Sequence, residues 1–281
     1  MTNSSDSPSP LPKEILSYYS RGKEAERLST GIGPLELART QELITRYFPP
    51  PPAVVFDVGG GPGMYSCWLA KSGYEVHLID AVPLHVEQAR RASQAQPSHP
   101  ITSLKVGDAR KLDYPDASAD AVLLHGPLYH LTDREDRLAA IRESKRILRP
   151  GGVLLGVGVS RYASTHLGLV RWWIDDPEYL QMCKRELTDG HHVPPPSWPG
   201  LFTTAFFHHP DELKTEMEDA GLVHEETLAV QGPGWLVPEF EERWKDEGQR
   251  KVLLKVIRWM EKEPVALGMS PHIMAVARNA Q

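Results

Sequence analysis

From Ala53 to Ser160, short apolar runs of strand length alternate with stretches of helical period. AVVFDV is followed by a glycine turn and the helical MYSCWLAKSG, then by YEVHLID. The rhythm repeats as PLHVEQARRASQ, ITSLKVGDA, ADAVLLHG, DREDRLAAIRESKRIL and GVLLGVGVS. Several of the strand-like runs are apolar throughout, as strands are when both faces are covered. Strands alternating with helices, with both sheet faces buried, mean an α/β domain built on a parallel sheet.

At 281 residues the chain is long enough for one such domain with insertions, or a domain with a small cap. The formal net charge is −6 and no Lys/Arg block is present, which disfavours a nucleic-acid phosphate track. Cys67 and Cys183 lie in unrelated segments, so no disulfide framework is expected and a reducing, cytoplasmic setting is. No run of about eighteen apolar residues is present to span a bilayer. The opening MTNSSDSPSPLP lacks the basic start and apolar centre of a secretory signal, and its Ser/Pro content predicts a disordered tail over residues 1–12.

KEILSYYSRGKEAERL is expected to form one helix with Ile15, Leu16, Tyr19 and Leu28 along one face. A second helix over Leu35–Tyr47 should end at the proline run that follows. The alternation stops between 161 and 210, where Trp172, Trp173 and Trp198 accompany the turn-rich HHVPPPSWPG; so long an interruption reads as a functional cap. It resumes with DELKTEMEDAGL, VHEETLAV, a long helix near 239–261 and a last strand in HIMAVARNA.

In DVGGGPG, Asp57 ends a strand and Gly59, Gly61 and Gly63 alternate after it, a pattern that lets backbone turn tightly and approach a ligand at a helix start. Ligands of open α/β sheets lie across the carboxyl ends of the strands. Asp80 ends the second strand, where a carboxylate accepts from two ribose hydroxyls, and Asp108 ends the third, within reach of an adenine amino group. The dinucleotide fingerprint would place its last glycine or alanine at 64, where Met64 stands, which weakens a nicotinamide-dependent oxidoreductase.

Together DVGGGPG, LID, GDA and LRPGG resemble the class I S-adenosylmethionine-dependent methyltransferases, over about residues 50–160 and more loosely the last two strands. The resemblance implies a Rossmann-like, seven-stranded, mostly parallel sheet whose last strand is antiparallel. With the interrupted stretch as an addition to that family's minimal pattern, the chain is expected to divide into N-terminal lid helices at 13–48, a cofactor-binding core at 49–160, a substrate cap at 161–210 and completion of the core at 211–281 with an extra helix near 239–261. S-adenosylmethionine would be the cofactor, leaving as S-adenosylhomocysteine, with no metal expected. Asp57, Gly59, Gly61 and Gly63 would line its methionine and ribose portion. Asp80 would hold the ribose with Ala81 or Val82 beside the adenine, Asp108 and Ala109 would meet the adenine edge, and the His125–Gly126 backbone would pass near the sulfonium. In the lid, Tyr18 or Tyr19 would close the site and Arg27 would meet a carboxylate; an amphipathic packing helix accounts for the same residues equally well.

Methyl transfer is an in-line displacement, and a general base is needed only when the acceptor must lose a proton. His125, Tyr129, His130, His208 and His209, with Tyr19 of the lid, are the candidate acid–base groups, the 208–209 pair because FFHHP lies where the chain returns to the sheet. Thr132 and Glu135 have capping-box spacing, which would make His130 a residue preceding a helix start. His191–His192 and His208–His209 are adjacent pairs that would point to opposite faces of a strand, and no Cys pair accompanies them.

The cap aromatics Trp172, Trp173, Trp198, Phe202, Phe206 and Phe207 would wall a small-molecule pocket, with Asp175, Asp176 and Glu178 available to an amine. Trp244 and Trp259, on a stripe with Phe240, Val256 and Met260, read as core. The expected acceptor is a small planar aromatic or heterocycle of secondary metabolism, such as an indolic amine, methylated on carbon, nitrogen or oxygen. Monomer and homodimer stay open. A catalytically inactive cofactor-binding scaffold is the competing function.

Overall fold

The computed structural model describes residues 12–22 and 24–280. The tail expected at 1–12 therefore lies, except for Pro12, outside the described residues. Three helices lead in: α1 (Lys13–Tyr19), α2 (Glu24–Arg27) and α3 (Gly33–Tyr47). The single helix expected over the first two is broken between Ser20 and Gly22, where Gly22 takes φ 70°. A left-handed backbone angle ends a right-handed helix, and glycine adopts it without steric cost.

The alternating core follows as β1 (Val54–Val58), α4 (Met64–Lys71), β2 (Glu75–Asp80), α5 (Pro83–Gln94), β3 (Ser103–Val106), β4 (Ala119–His125), a short α6 (Pro127–His130), α7 (Arg134–Ile147) and β5 (Leu148–Ser160). The residue capping α7 is Asp133, which accepts from the Glu135 and Asp136 amides; Thr132 does not cap it, and His130 ends α6. Next come α8 (Ala163–Arg171), α9 (Pro177–Asp189), β6 (His191–His192), β7 (Ala205–His208) and α10 (Pro210–Asp219). The chain ends with β8 (Val223–Ala229), α11 (Phe240–Lys245), α12 (Glu247–Met260), α13 (Pro264–Met269) and β9 (His272–Arg278). Asp246, in extended backbone and accepting from the Gln249 amide, splits the expected long helix into α11 and α12.

Seven strands run β3–β2–β1–β4–β5–β9–β8, with β9 antiparallel to both of its neighbours and the other adjacent pairs parallel. The interrupted segment does contain strand: β6 and β7 form a hairpin, and β7 pairs in parallel with Val159 and Ser160 of β5. Since β9 already occupies one edge of β5 as far as Val159, β7 takes the other edge, beyond the end of β4.

The pleat sorts the core into two halves. Val122 and Leu124 of β4, Leu154 of β5, and Ile273, Ala275 and Ala277 of β9 face α7 and α10. Ala121 and Leu123, Val153, Leu155 and Val157, and Met274 and Val276 face α3, α4 and α5. This two-residue period is what a sheet covered on both sides requires. Among the described residues no helix is long and apolar enough to cross a membrane.

Behind β7 lies a buried charge cluster. The Arg137 guanidinium donates to Glu216 at 2.8–3.1 Å and stacks 3.6 Å from the Phe206 ring centroid. His208, fully buried, places Nε2 3.2 Å from the same carboxylate. Burial pushes the Glu216 pKa up, but the His208 and Arg137 hydrogen bonds outweigh it and hold the carboxyl below its usual range. Removing one partner of a buried ion pair strands the other. Arg137→Leu is expected to lose about 3–5 kcal/mol in urea unfolding at pH 7. A carboxyl held low stabilises the fold above its unfolded pKa and ceases to as pH falls through the folded value. Acid titration of Glu216→Gln should therefore show a shallower stability loss below about pH 4.5 than the parent; an identical slope would remove Glu216 from this role.

Candidate functional site

Gly59 determines how the site is assembled. It takes φ 83°, and a Cβ there would fall 2.6 Å from the His125 carbonyl oxygen and 2.5 Å from Pro127 Cδ. No other residue type allows the loop after β1 to lie this close to the end of β4. Gly63, at φ 87°, similarly seats the start of α4 on Ala89 of α5.

Two compartments open over the carboxyl ends of β1, β2, β3 and β4. The first is lined by Asp80, Ala81, Val82 and His85, by Asp108 and Ala109, by Gly126, Pro127 and His130, and by Ile15 and Tyr19 of α1. The second is lined by Asp57 and Gly59 to Gly63, by Arg27 and Leu28, and by Tyr65 and His125. Glu24, Gly59, Gly61 and Tyr129 line both, so the compartments meet beside Tyr129.

Asp80 holds its carboxylate in place through the Gly61 and Val82 amides, each at 2.8 Å, with His85 Nδ1 at 3.2 Å. This ties the glycine loop to the end of β2. Asp108 accepts from the Arg110 backbone amide at 2.9 Å and pairs with its guanidinium at 2.6 Å while lining the first compartment. Asp57 is fully buried and accepts from Ser66 Oγ at 2.6 Å. Burial is the main cause that pushes its pKa up to about 7, against the Ser66 hydrogen bond and with the Asp80 charge adding to it.

The N-terminal helices cover the first compartment. Tyr19 Oη lies 2.6 Å from His130 Nε2, and its ring meets His85 and His130 edge-on. Tyr18 packs edge-on against Tyr19 and Phe202 and lines neither compartment. Burial pushes the Tyr19 and Tyr129 hydroxyls well above their usual range and holds the His130 imidazole neutral, at about 3. Arg27 of α2 donates to Glu36 at 2.7 and 2.9 Å and to Glu24 at 2.6 Å, so the group expected to meet a cofactor carboxylate is held by two protein carboxylates.

Of the expected acid–base residues, Tyr19, His125, Tyr129 and His130 line the compartments, whereas His208 and His209 do not. His208 lies against Gly158 and Glu216, on the α10 side, and lines neither compartment. It was grouped with them because FFHHP lies near the sheet, yet a strand there turns its side chain into the core.

The cap aromatics also divide. Trp173 and Trp198 pack with Tyr179, Met182, Cys183 and Leu201 in a core of their own, and Trp172 is 66% exposed. Phe207 stacks on His192, and Phe206 lies beneath Arg137. Phe202 packs against the Tyr129 and His130 rings, and Phe207 shares a buried cluster with Tyr129. Asp175 accepts from Trp172 Nε1, Asp176 caps α9 and Glu178 accepts from Ser197, so the three carboxylates expected to meet an amine are committed elsewhere. Trp259 is 69% exposed, whereas Trp244 stacks on Phe240 beside Leu35 and Ile257.

Sequence reasoning missed four side chains: Tyr65 and His85, which line the compartments, and Glu36 and His272, which lie beside His125 and line neither. Glu36, with Arg39 and Thr40, falls on the same buried face of α3 as Leu43 and Ile44. Polar residues on a helix's apolar stripe were the available signal. His272 begins an antiparallel strand and so stands at the carboxyl edge of the parallel ones.

Residues 56–156 match the family described as Methyltransferase domain. A ubiquinone/menaquinone biosynthesis C-methyltransferase of Caulobacter vibrioides is 32% identical over 124 residues, which cover 41% of this chain and 48% of that protein. Methyltransferase GfsG of Streptomyces halstedii is 30% identical over 159 residues, 50% of this chain and 56% of the relative. The chain thus spans about half the length of the curated relatives it matches. Among solved structures, a SAM-dependent methyltransferase from Methanosarcina mazei superimposes with a TM-score of 0.59 at 20% identity, over 85% of this chain and 97% of the other, which is a likeness of fold. The sheet order with its antiparallel β9 and the acids near the ends of β1, β2 and β3 thus accompany a match to the methyltransferase-domain family over residues 56–156, and the chain shares the fold of that solved S-adenosylmethionine-dependent methyltransferase.

Proposed function

We propose that the chain transfers the methyl group of S-adenosylmethionine to a small aromatic or heterocyclic acceptor. The observation that carries the reading is the pair of compartments meeting at Tyr129. One is built around Asp80 and Asp108 for an adenosine, the other around the glycine loop for an amino-acid arm. The sulfonium cofactor supplies an electrophilic methyl group. The protein's part is to orient: Asp80 presents a carboxylate to a ribose diol, the Gly59 turn lets backbone approach the ligand, and Tyr129 and Phe202 flank the junction where an acceptor would lie. Holding two reactants in attack geometry removes several kcal/mol of the barrier in such displacements.

The relatives support a small-molecule acceptor, since one is named for quinone biosynthesis. An amine is not retained in the proposal because Asp175, Asp176 and Glu178 are engaged within the cap.

The α1 lid is read as a cover over the adenosine compartment, fastened by the Tyr19–His130 hydrogen bond. Its aromatic packing would remain in Tyr19→Phe, while one hydrogen bond would be lost. That variant is expected to bind S-adenosylhomocysteine about 2- to 12-fold more weakly by calorimetry. Asp80→Ala, which removes a charged acceptor, should weaken it about 10- to 150-fold, with thermal melting as the check on folding. An unchanged dissociation constant in Asp80→Ala would sink the ribose assignment. Turnover itself is read by incubating the chain with S-adenosylmethionine and a panel of phenols, naphthols, indoles and quinols. A mass gain of one methyl group on any member is the expected result. Cofactor binding with no transfer to any of them would favour a non-catalytic scaffold.

A further inference from the structure

Two of the apolar columns that face α3 end in histidine. Ala121 and Leu123 of β4 lead to His125, and Val276 and Met274 of β9 lead back to His272 at the same carboxyl edge. The buried face of α3 places Glu36 above them. His125 Nε2 lies 3.7 Å from one Glu36 oxygen and His272 Nδ1 lies 3.6 Å from the other. The two imidazoles are 6.0 Å apart, and Tyr129, at the junction of the compartments, is 6.4 Å from His125 and 6.5 Å from His272.

His125 is 6% exposed, and neither ring nitrogen has a hydrogen-bond partner among the described residues. Buried side-chain polar groups are nearly always satisfied, so an imidazole with both nitrogens open, lining a cavity, is built for something that arrives. The proton on His272 can be placed. Gln231 Oε1 accepts from the His272 backbone amide at 3.0 Å, which turns its NH₂ toward His272 Nδ1 at 2.8 Å. Nδ1 is therefore an acceptor, and the neutral His272 carries its proton on Nε2.

What arrives is constrained by charge. Glu36, His125 and His272 bring three ligand atoms within 4.8 Å of one another, near enough for a metal. However, both Glu36 oxygens already accept from Arg27, so a cation would have to share that carboxylate with a guanidinium. Two neutral imidazoles beside a compensated carboxylate suit instead a neutral group that both donates and accepts, namely a hydroxyl.

We propose that His125 and His272, braced by Glu36, seat the hydroxyl of the acceptor, and that His125 takes its proton as the oxygen is methylated. This deepens the methyltransferase reading and rests on it. The acceptor O–H bond breaks and its proton passes to His125. An oxygen lone pair forms the O–CH₃ bond, and the electrons of the broken S–CH₃ bond return to sulfur, leaving a neutral thioether and an imidazolium facing Glu36. The charged and titratable groups around His125 are Glu36 of α3, Arg27 of α2, Tyr65 of α4, Tyr129 of α6 and His272 of β9. In this arrangement burial holds His125 neutral.

The test uses the full chain saturated with S-adenosylhomocysteine and titrated by calorimetry with 1-naphthol and with 1-naphthylamine. The expected result is at least tenfold tighter binding of the naphthol. In His272→Phe, which keeps a ring in place, that preference should disappear while S-adenosylhomocysteine affinity stays within threefold. His125→Gln serves as a second variant, with thermal melting reported for both. With S-adenosylmethionine, the naphthol should yield its methyl ether. Equal affinity for the two probes, binding of neither, or an N-methylated product overturns the proposal. A stoichiometric metal lost in both variants overturns it in favour of a metal centre. Failure of S-adenosylhomocysteine to bind at all would instead overturn the cofactor reading on which it rests.

Discussion

The close passage of Gly59 over the end of β4 is the constraint on which the site depends. With 2.6 Å between a would-be Cβ and the His125 carbonyl, the glycine loop and the HGPLYH segment form one surface. The first compartment is fastened to that surface by Asp80, whose carboxylate accepts from the Gly61 amide. The second opens beneath it, between the loop, Arg27 and Tyr65. A side chain at 59 would force the two strand ends apart and with them both compartments. Tyr129 lies in both because α6 starts directly after Gly126, itself at φ 126° and set against Gly59.

Much of this was legible because it follows from period and punctuation. Continuous apolar runs are what buried parallel strands require, and β1 to β5 appear where those runs stand. Acids at strand ends and alternating glycines mark the carboxyl edge, so the sequence alone places Asp57, Asp80 and Asp108 there. What escaped depended on direction within an element. FFHHP reads equally as a loop rejoining the sheet or as a strand of its own, and only pairing with Val159 and Ser160 decides that His208 points into the core. The cap tryptophans posed the same difficulty, because a small insertion with two helices needs its own apolar centre, and Trp173 and Trp198 supply it.

The polar residues on α3 were harder still, since a helical stripe carrying Glu36, Arg39 and Thr40 looks like a weak amphipathic pattern until the sheet beneath it is known. Arg39 is fully buried and reaches Glu261 at 2.5 Å and the Val230 carbonyl at 3.1 Å. That contact ties α3 to the turn after α12 and so fixes how the helix lies over β8 and β9. Glu36, about one turn earlier, then has its position over the histidines determined by a salt bridge remote from the cleft. Burial pushes the Glu36 pKa up, but the Arg27 charge and hydrogen bonds and the nearby imidazoles overcome this and hold it at about 2. The carboxylate thus stays ionised inside the protein because Arg27 compensates it.

One physical rule connects these observations. In a sheet covered on both faces, the last residue of each apolar column is the first not obliged to be apolar, because it stands at the rim where helix cover ends. His125 and His272 occupy two such places on the α3 side, and Asp57 follows Val55 in the same way on β1. Their columns are parallel in space although β9 runs in the opposite direction, so residues 147 positions apart in the chain meet through pleat parity alone. The antiparallel last strand therefore does more than close the sheet. By reversing direction it brings its first residue, instead of its last, to the carboxyl edge of the parallel strands, and so lets β9 contribute a side chain beside a site assembled mostly from the first half of the chain.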